Sequence, residues 1–475
     1  MARKSFFRIK TNNNKRNEGK KAMVTTFNRL PVMAAITFCF ITWSLISATR
    51  LPNAAGTHKK QESPLEPSIP RLPTAATFRV LQVQLVHRHG DRTPITPMSD
   101  EAYWASTLPS NDLLEKVASS TKVIRDGAPI NHVAAGRGPF GKLTQLGLLQ
   151  MIDLGSTLRE QLYTNVYDDH SYDEHGNVFR NKGRLFDPKN PLQPHHIKVI
   201  STDFQRTILS VQGTLVGIFP DKTNEPPIEI DVRQTSIMIP DPQPRQSVEQ
   251  EVLEKLLASR KYIQKREEEM FPLAVRVTES LKYLLGKGAF EISFGVGEEK
   301  ADADTTKPLA WAQLAEITKC LAIRGKLPDS ISSQDLEYIG AHTAWKWFEH
   351  LRDPRLVYLA MNCMVSKMVL SMQDKLTSTE ESPVIIYSAH DSTLIGLLCA
   401  FRLEQPSVWP EYGSYLKLEL IEANMSNGER DYIVRFSLNG QVLRSQWTKD
   451  KTLEVIPLNQ LSELIQNDGT ASNQA

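Results

Sequence analysis

The stretch that most constrains this chain runs from Phe78 to Pro94, where an apolar segment ends in a dense cluster of charge. Phe78, Val80, Leu81, Val83, Leu85 and Val86 place hydrophobic side chains on both sides of an extended backbone. Such a run is a strand buried on both faces, as in a parallel sheet covered by helices. The sequence that follows, His87-Arg88-His89-Gly90-Asp91-Arg92-Thr93-Pro94, cannot continue that burial, so the cluster is expected at the strand's carboxyl end. In open α/β sheets ligands bind along that edge. Gly90 is expected to let backbone approach a ligand, and Pro94 to stop regular structure. The planar forks of Arg88 and Arg92 suit a dianionic oxyanion, and His89 between them is a candidate nucleophile.

Two later segments repeat the pattern of a strand ending in chemistry. Pro383-Val384-Ile385-Ile386-Tyr387-Ser388-Ala389 is an apolar run closed by His390-Asp391. His196 to Ile200 is a strand followed by Ser201-Thr202-Asp203-Phe204-Gln205-Arg206, with Arg206 opening a helix through Leu209, Leu215, Val216 and Ile218. Thr144 is a candidate N-cap for a helix carrying Leu146, Leu149, Met151, Leu154 and Leu158. Helical stretches then fill the chain from Val248 to Met372, and the methionines of its last stretch are read as packing residues.

Arg88-His89-Gly90-Asp91-Arg92-Thr93-Pro94 matches an R-H-G-x-R-x-P signature, and with His390-Asp391 and the segment around Arg206 the chain resembles the histidine acid phosphatases. Within that phosphoglycerate-mutase-like superfamily the likeness is nearest the lysophosphatidic acid phosphatase-like group. The resemblance implies an α/β fold, with a mostly parallel central sheet flanked by helices and an inserted, mainly helical cap at about 245–375. It implies an acid phosphatase that hydrolyses phosphate monoesters through a phosphohistidine on His89, with Asp391 as proton donor. Arg88, Arg92, Arg206 and His390 would bind the phosphate, with no cofactor and no metal. Asp91 falls at a position the family leaves variable and is assigned no catalytic role. Arg137 and Phe140 are expected either to touch substrate or to pack in a glycine-rich turn. Lysophospholipid, sugar phosphate, inositol phosphate and phosphoprotein substrates all stay open, as does the oligomeric state.

Two rival functions start from the same residues. His87 and His89 form an H-x-H at a strand end, which could hold a metal if further ligands converged on it. A catalytically silent, membrane-anchored binding protein of the same fold is the other.

Composition separates the body of the chain from what precedes it. Residues 1–30 carry nine Lys or Arg against Glu18 alone, whereas the whole chain is only +2. The remainder is therefore mildly acidic and gives no reason to expect nucleic acid as a partner. Residues 31–49 hold no charge and are just long enough to cross a bilayer, for which about twenty apolar residues suffice. A signal anchor with the catalytic part on the luminal or extracellular side is expected. A signal peptide cleaved after Ala48 and a mitochondrial presequence are the alternatives. A Pro-rich stalk over 50–77, a catalytic domain over 78–466 and a disordered tail over 467–475 complete the expected organisation. Beyond Cys39, only Cys320, Cys363 and Cys399 are present, so at most one disulfide can form in the body.

Overall fold

Strand β1 (Ala75–Arg88) is the seam of a nine-stranded mixed sheet in the computed structural model. The structure describes residues 75–462 apart from 126–136, 164–184, 188, 221–225, 234–236, 241–246, 292–306, 379–381, 426–427 and 449–450. The basic leader, the apolar segment 31–49, nearly all of the stalk and the tail lie outside the described residues. On one side of β1 stand β2 (Thr121–Ile124), β3 (Ile197–Thr202), β4 (Ile228–Arg233) and β5 (Val384–Ala389), in the order β1-β5-β3-β4-β2 and all parallel. On the other side β6 (Tyr415–Met425), β7 (Arg430–Leu438) and β11 (Val455–Pro457) run antiparallel, with β8 (Gln441–Val442) beside β7. A separate ribbon pairs β9 (Ser445–Thr448) with β10 (Lys451–Leu453).

The expectation of a mostly parallel sheet is thus corrected to a mixed one. The connection from Met425 to Arg430 is too short for a crossover, which needs a dozen or more residues, so β6 and β7 form a hairpin. β6 then lies directly against β1, pairing from Met425↔Ala75 to Tyr415↔His87.

Alternation along the central strands sorts their side chains into two cores. Val384 and Ile386 join Val83 and Leu85 on one face, packed beneath α3 (Gln145–Tyr163) and α4 (Gln205–Ile218). Ile385, Tyr387, Ala389 and Val86 point to the other face, covered by α5 (Val248–Ala258), α8 (Ser333–Leu351), α9 (Pro354–Thr377) and α10 (Asp391–Ala400). Every residue of β5 is buried, which is why its sequence is continuously apolar rather than alternating. Each large aliphatic side chain so covered contributes about 1.5–3 kcal/mol. Met361, Met364, Met368 and Met372 of α9 belong to this second core. α9 is also the one helix among the described residues that is long and apolar enough to cross a membrane. α1 (Glu101–Ser106), α6 (Lys261–Leu281) and α7 (Trp311–Ile323) gather a third core around Trp104, Phe140, Val277 and Leu314, while Val117 of α2 (Asn111–Ala118) packs with Leu143 and Leu148. Cys320, Cys363 and Cys399 are all free thiols.

Helices α3 and α4 touch through glycines. A Cβ at Gly155 would lie 2.1 Å from the Thr214 carbonyl oxygen, and one at Gly217 would lie 2.0 Å from that of Ile152. Neither obstacle is a flexible side-chain end, so the helices would have to separate. Gly340, inside α8, has nothing within 4 Å of its own added Cβ. Gly155→Ala should therefore lower the midpoint of thermal unfolding, losing on the order of 3 kcal/mol from overpacking. Gly340→Ala should be neutral or stabilising by up to about 1 kcal/mol through helix propensity. Equal melting temperatures for the two variants would contradict this packing.

Candidate active site

The parallel half of the sheet brings three strand ends to one edge. β1 delivers Arg88 and then His89, β5 delivers His390 and Asp391, and β3 leads through Thr202 to Arg206 in the first turn of α4. Arg88, His89, Arg92, Arg206 and His390 are each 2–8% exposed, although three of them are arginines. Backbone on both sides fixes His89: its N–H donates to the Ala389 carbonyl at 3.2 Å, and its own carbonyl accepts from Gly413 at 3.2 Å. Its Nδ1 lies 2.8 Å from the Gly90 carbonyl, which can only accept. The neutral ring therefore keeps its proton on Nδ1 and leaves the Nε2 lone pair free.

Each arginine is held differently. Arg88 stacks over the Tyr412 ring at 4.2 Å, donates to the Pro410 carbonyl and pairs through Nη2 with Asp391 Oδ2 at 2.8 Å. Arg92 donates through Nη1 to Glu316 Oε2 at 2.7 Å, and Glu316 also accepts from the backbone N–H groups of Ile95 and Thr96 at 2.9 and 2.8 Å. Arg206 lies 4.3 Å over the Phe204 ring, and among the described residues no carboxylate pairs with it. The Nε atoms of Arg88, Arg92 and Arg206 are all buried without a partner. Buried donors rarely stay unsatisfied, so three together in one place mark a site made for an anion.

The same crowding sets the titration of the imidazoles. Burial, followed by the charges of Arg206, Arg88 and Arg92, holds His89 well below the ordinary imidazole value and so favours its neutral form. Burial and then Arg206 likewise push His390 well down. Arg206 itself is lowered to about 9, by burial and by Arg92 beside it. Burial favours the protonated form of Asp391, but Arg88 and the hydrogen bond from Trp409 Nε1 at 2.9 Å outweigh it and lower the carboxyl to about 2.

Other expectations meet a different geometry. Gly90 does not make room for a ligand: a Cβ there would lie 2.3 Å from the Gly147 carbonyl oxygen, and one at Gly147 would lie 2.0 Å from that of Asp91. The glycines let the loop after β1 press onto the first turn of α3, where Thr144 Oγ1 accepts from Gly147 N–H at 3.1 Å as the expected cap. Phe140 packs in the helical core with Trp104 and Leu314, and Arg137 is exposed. His87 is buried and lowered to about 4 by that burial, and its Nε2 has no partner. No group of three His, Cys, Asp or Glu among the described residues is placed to hold a metal there.

Several residues of the site were missed in the sequence. Glu316 and Lys319 come from α7, Tyr412 and Trp409 from the segment before β6, and Phe204 and Thr202 from the end of β3. Only Trp409 and the Thr202 segment carried any signal, through the likeness to the family's pattern.

A family model described as histidine phosphatase superfamily (branch 2) matches residues 79–287 and 353–439. The chain is 24% identical to counting factor 60 of Dictyostelium discoideum over 380 residues, covering 76% of this chain and 79% of that one. It is 28% identical to lysosomal acid phosphatase of Xenopus laevis over 149 residues, 31% of this chain and 23% of the other. The phytase of Citrobacter braakii has a similar fold, with a TM-score of 0.52 at 14% identity, over 82% of this chain and 98% of the phytase.

Asp91 has a structural task. It is fully buried, accepts from Thr144 Oγ1 at 2.5 Å and pairs with Arg324 Nη2 at 2.6 Å, tying the loop after β1 to the residue that ends α7. Removing one member of a buried pair strands the other charge. Arg324→Met should cost on the order of 3 kcal/mol in urea unfolding, and adding Asp91→Asn should recover part of that loss. Strictly additive losses would contradict the pairing.

Proposed function

The chain belongs to the histidine phosphatase superfamily (branch 2), and from that premise we propose that it hydrolyses phosphate monoesters by transferring the phosphoryl group to Nε2 of His89. Membership makes it a phosphatase, and its resemblance to lysosomal acid phosphatase agrees. The observation that carries the mechanism is the positive charge of Arg88, Arg92 and Arg206, buried together with unpartnered Nε donors around a neutral imidazole. A phosphoryl group spreads its transition-state charge over three oxygens, and fixed donors stabilise that charge without reorganising. In the first step the His89 Nε2–P bond forms, the ester P–O bond breaks, and the departing alkoxide takes a proton from Asp391. In the second, water gives a proton to Asp391 and attacks phosphorus, and the P–N bond breaks.

Asp391 must be protonated to act first, yet it rests at about 2. Substrate resolves the conflict. A phosphate dianion that takes Arg88 Nη2 cancels the main influence favouring the carboxylate, and burial then raises the acid. The basic leader and apolar segment, with the likeness to a lysosomal enzyme, support a membrane-anchored protein whose catalytic part faces the secretory-pathway lumen. The substrate class supported is a phosphate monoester.

Turnover of p-nitrophenyl phosphate and of an alkyl phosphate, measured across pH, tests this reading. His89→Ala should abolish both reactions. Trp409→Phe removes a hydrogen bond that favours ionised Asp391, so the acid loses its proton at higher pH. The basic limb of kcat for the alkyl ester should then move up by about one unit. Sustained turnover in His89→Ala, or a limb that stays in place or moves down, would refute the assigned roles.

A further inference from the structure

Behind His390 stand two hydroxyls whose directions are fixed by what they can reach. His390 Nε2 lies 2.9 Å from Thr202 Oγ1, at the end of β3. Thr202 Oγ1 lies 3.0 Å from Thr207 Oγ1, and Thr207 Oγ1 lies 2.9 Å from the carbonyl oxygens of both Thr202 and Phe204. Carbonyls only accept, so the Thr207 proton is committed to one of them. The Thr207 oxygen then receives the Thr202 proton, and the Thr202 oxygen can only receive one from His390 Nε2. The neutral His390 ring is therefore held with its proton on Nε2 and a lone pair on Nδ1. Among the described residues the one hydrogen bond of the His390 side chain is this contact through Nε2, and within α10 the Thr393 hydroxyl accepts from the His390 backbone N–H at 3.4 Å.

Resting on the phosphatase reading above, we propose that Thr202 is a positioning residue which fixes the His390 proton on Nε2, so that a phosphate oxygen is met at Nδ1 and binding recruits one further proton to His390. A lone pair facing an anionic oxygen repels it; an added proton turns that contact into a charge-assisted hydrogen bond. The groups facing His390 explain why the proton is absent beforehand. Arg206 from α4, with Arg88 and Arg92 from the end of β1, disfavour it, and Asp391 on its own helix favours it. The neutral His89 ring stands 5.7 Å away, edge-on. Once a dianion offsets the arginines, the balance tips toward imidazolium. Phosphate binding then strengthens as pH falls, and that dependence traces to one hydroxyl.

Sulfate is the probe, because it stays dianionic across the working range and brings no proton of its own. Calorimetric titration of the full-length chain with sulfate, in buffers of different ionisation enthalpy, counts the protons taken up. A His89→Ala, Asp391→Asn background removes the two other groups that could accept one. Near neutral pH about one proton should enter per sulfate bound. Adding Thr202→Val frees the ring to carry its single proton on Nδ1, so uptake should fall below about half a proton, and Thr202→Ser should restore it. Sulfate binding without uptake in the background, or unchanged uptake with Thr202→Val, would overturn the proposal. Should the valine variant not fold, imidazole nitrogen-15 shifts of His390 in the wild-type chain decide: a protonated Nε2 and bare Nδ1 support it, and the reverse sinks it. Wild-type turnover of p-nitrophenyl phosphate without any such proton signature would remove this inference alone, whereas absent turnover would remove the phosphatase reading.

Discussion

Three guanidinium groups are buried at one sheet edge with two carboxylates, Glu316 and Asp391, to pair with them, and the rest of the structure is arranged around that imbalance. Burying unpaired charge costs several kcal/mol per ion even after relaxation. A fold carries such a cost where an anionic ligand answers the charge. Strands β1 and β3, each paired in parallel with β5, bring Arg88 and Arg92 together with Arg206 from more than a hundred residues away. The backbone contact of Gly90 with Gly147 and the pair of Asp91 with Arg324 then hold the loop against like-charge repulsion.

The two carboxylates are not equivalent. Glu316 spends both oxygens on fixed donors, Oε2 accepting from Arg92 and the Ile95 amide and Oε1 from the Thr96 amide, so it is a permanent part of the frame. By engaging Nη1 of Arg92 it leaves the Nε edge of that fork unclaimed. Asp391 spends Oδ2 on Arg88 and Trp409, and its side chain is about one-fifth exposed against 6% for Glu316. Glu316 is thus locked into the frame, whereas Asp391 is the more exposed and the less tied of the two, a division set by their hydrogen-bond partners.

The parts of the site legible in sequence were those where a strand and its chemistry adjoin. His89 follows an apolar run, and His390-Asp391 closes another, so local pattern alone placed both at strand ends. Arg206 needed the likeness to a family, because an arginine in the first turn of a helix is an ordinary surface feature. Glu316 and Lys319 could not be singled out, since charged residues along an amphipathic helix look solvated until it is known what that helix packs against. Tyr412 lies in a segment without regular structure, where period carries no information. The parallel half of the sheet followed from the doubly buried strands. The alternation over Ser414 to Glu422 and Asp431 to Leu438 reads as a strand pair, but it says nothing about which strand the pair will join, so the mixed character of the sheet was not legible.

The central claim is that distant strand ends converge on one phosphate, and Arg206 tests it most directly because it is far from the first motif in the chain and has no carboxylate partner among the described residues. Steady-state hydrolysis of p-nitrophenyl phosphate by Arg206→Lys, with thermal unfolding followed alongside, is the measurement. Lysine keeps the charge and loses the fork, so kcat/KM should fall roughly a hundredfold, on the order of 3 kcal/mol of transition-state stabilisation, while the unfolding midpoint stays near that of the parent. Wild-type kcat/KM in Arg206→Lys and in Arg206→Ala would contradict convergence, whatever the behaviour of His89.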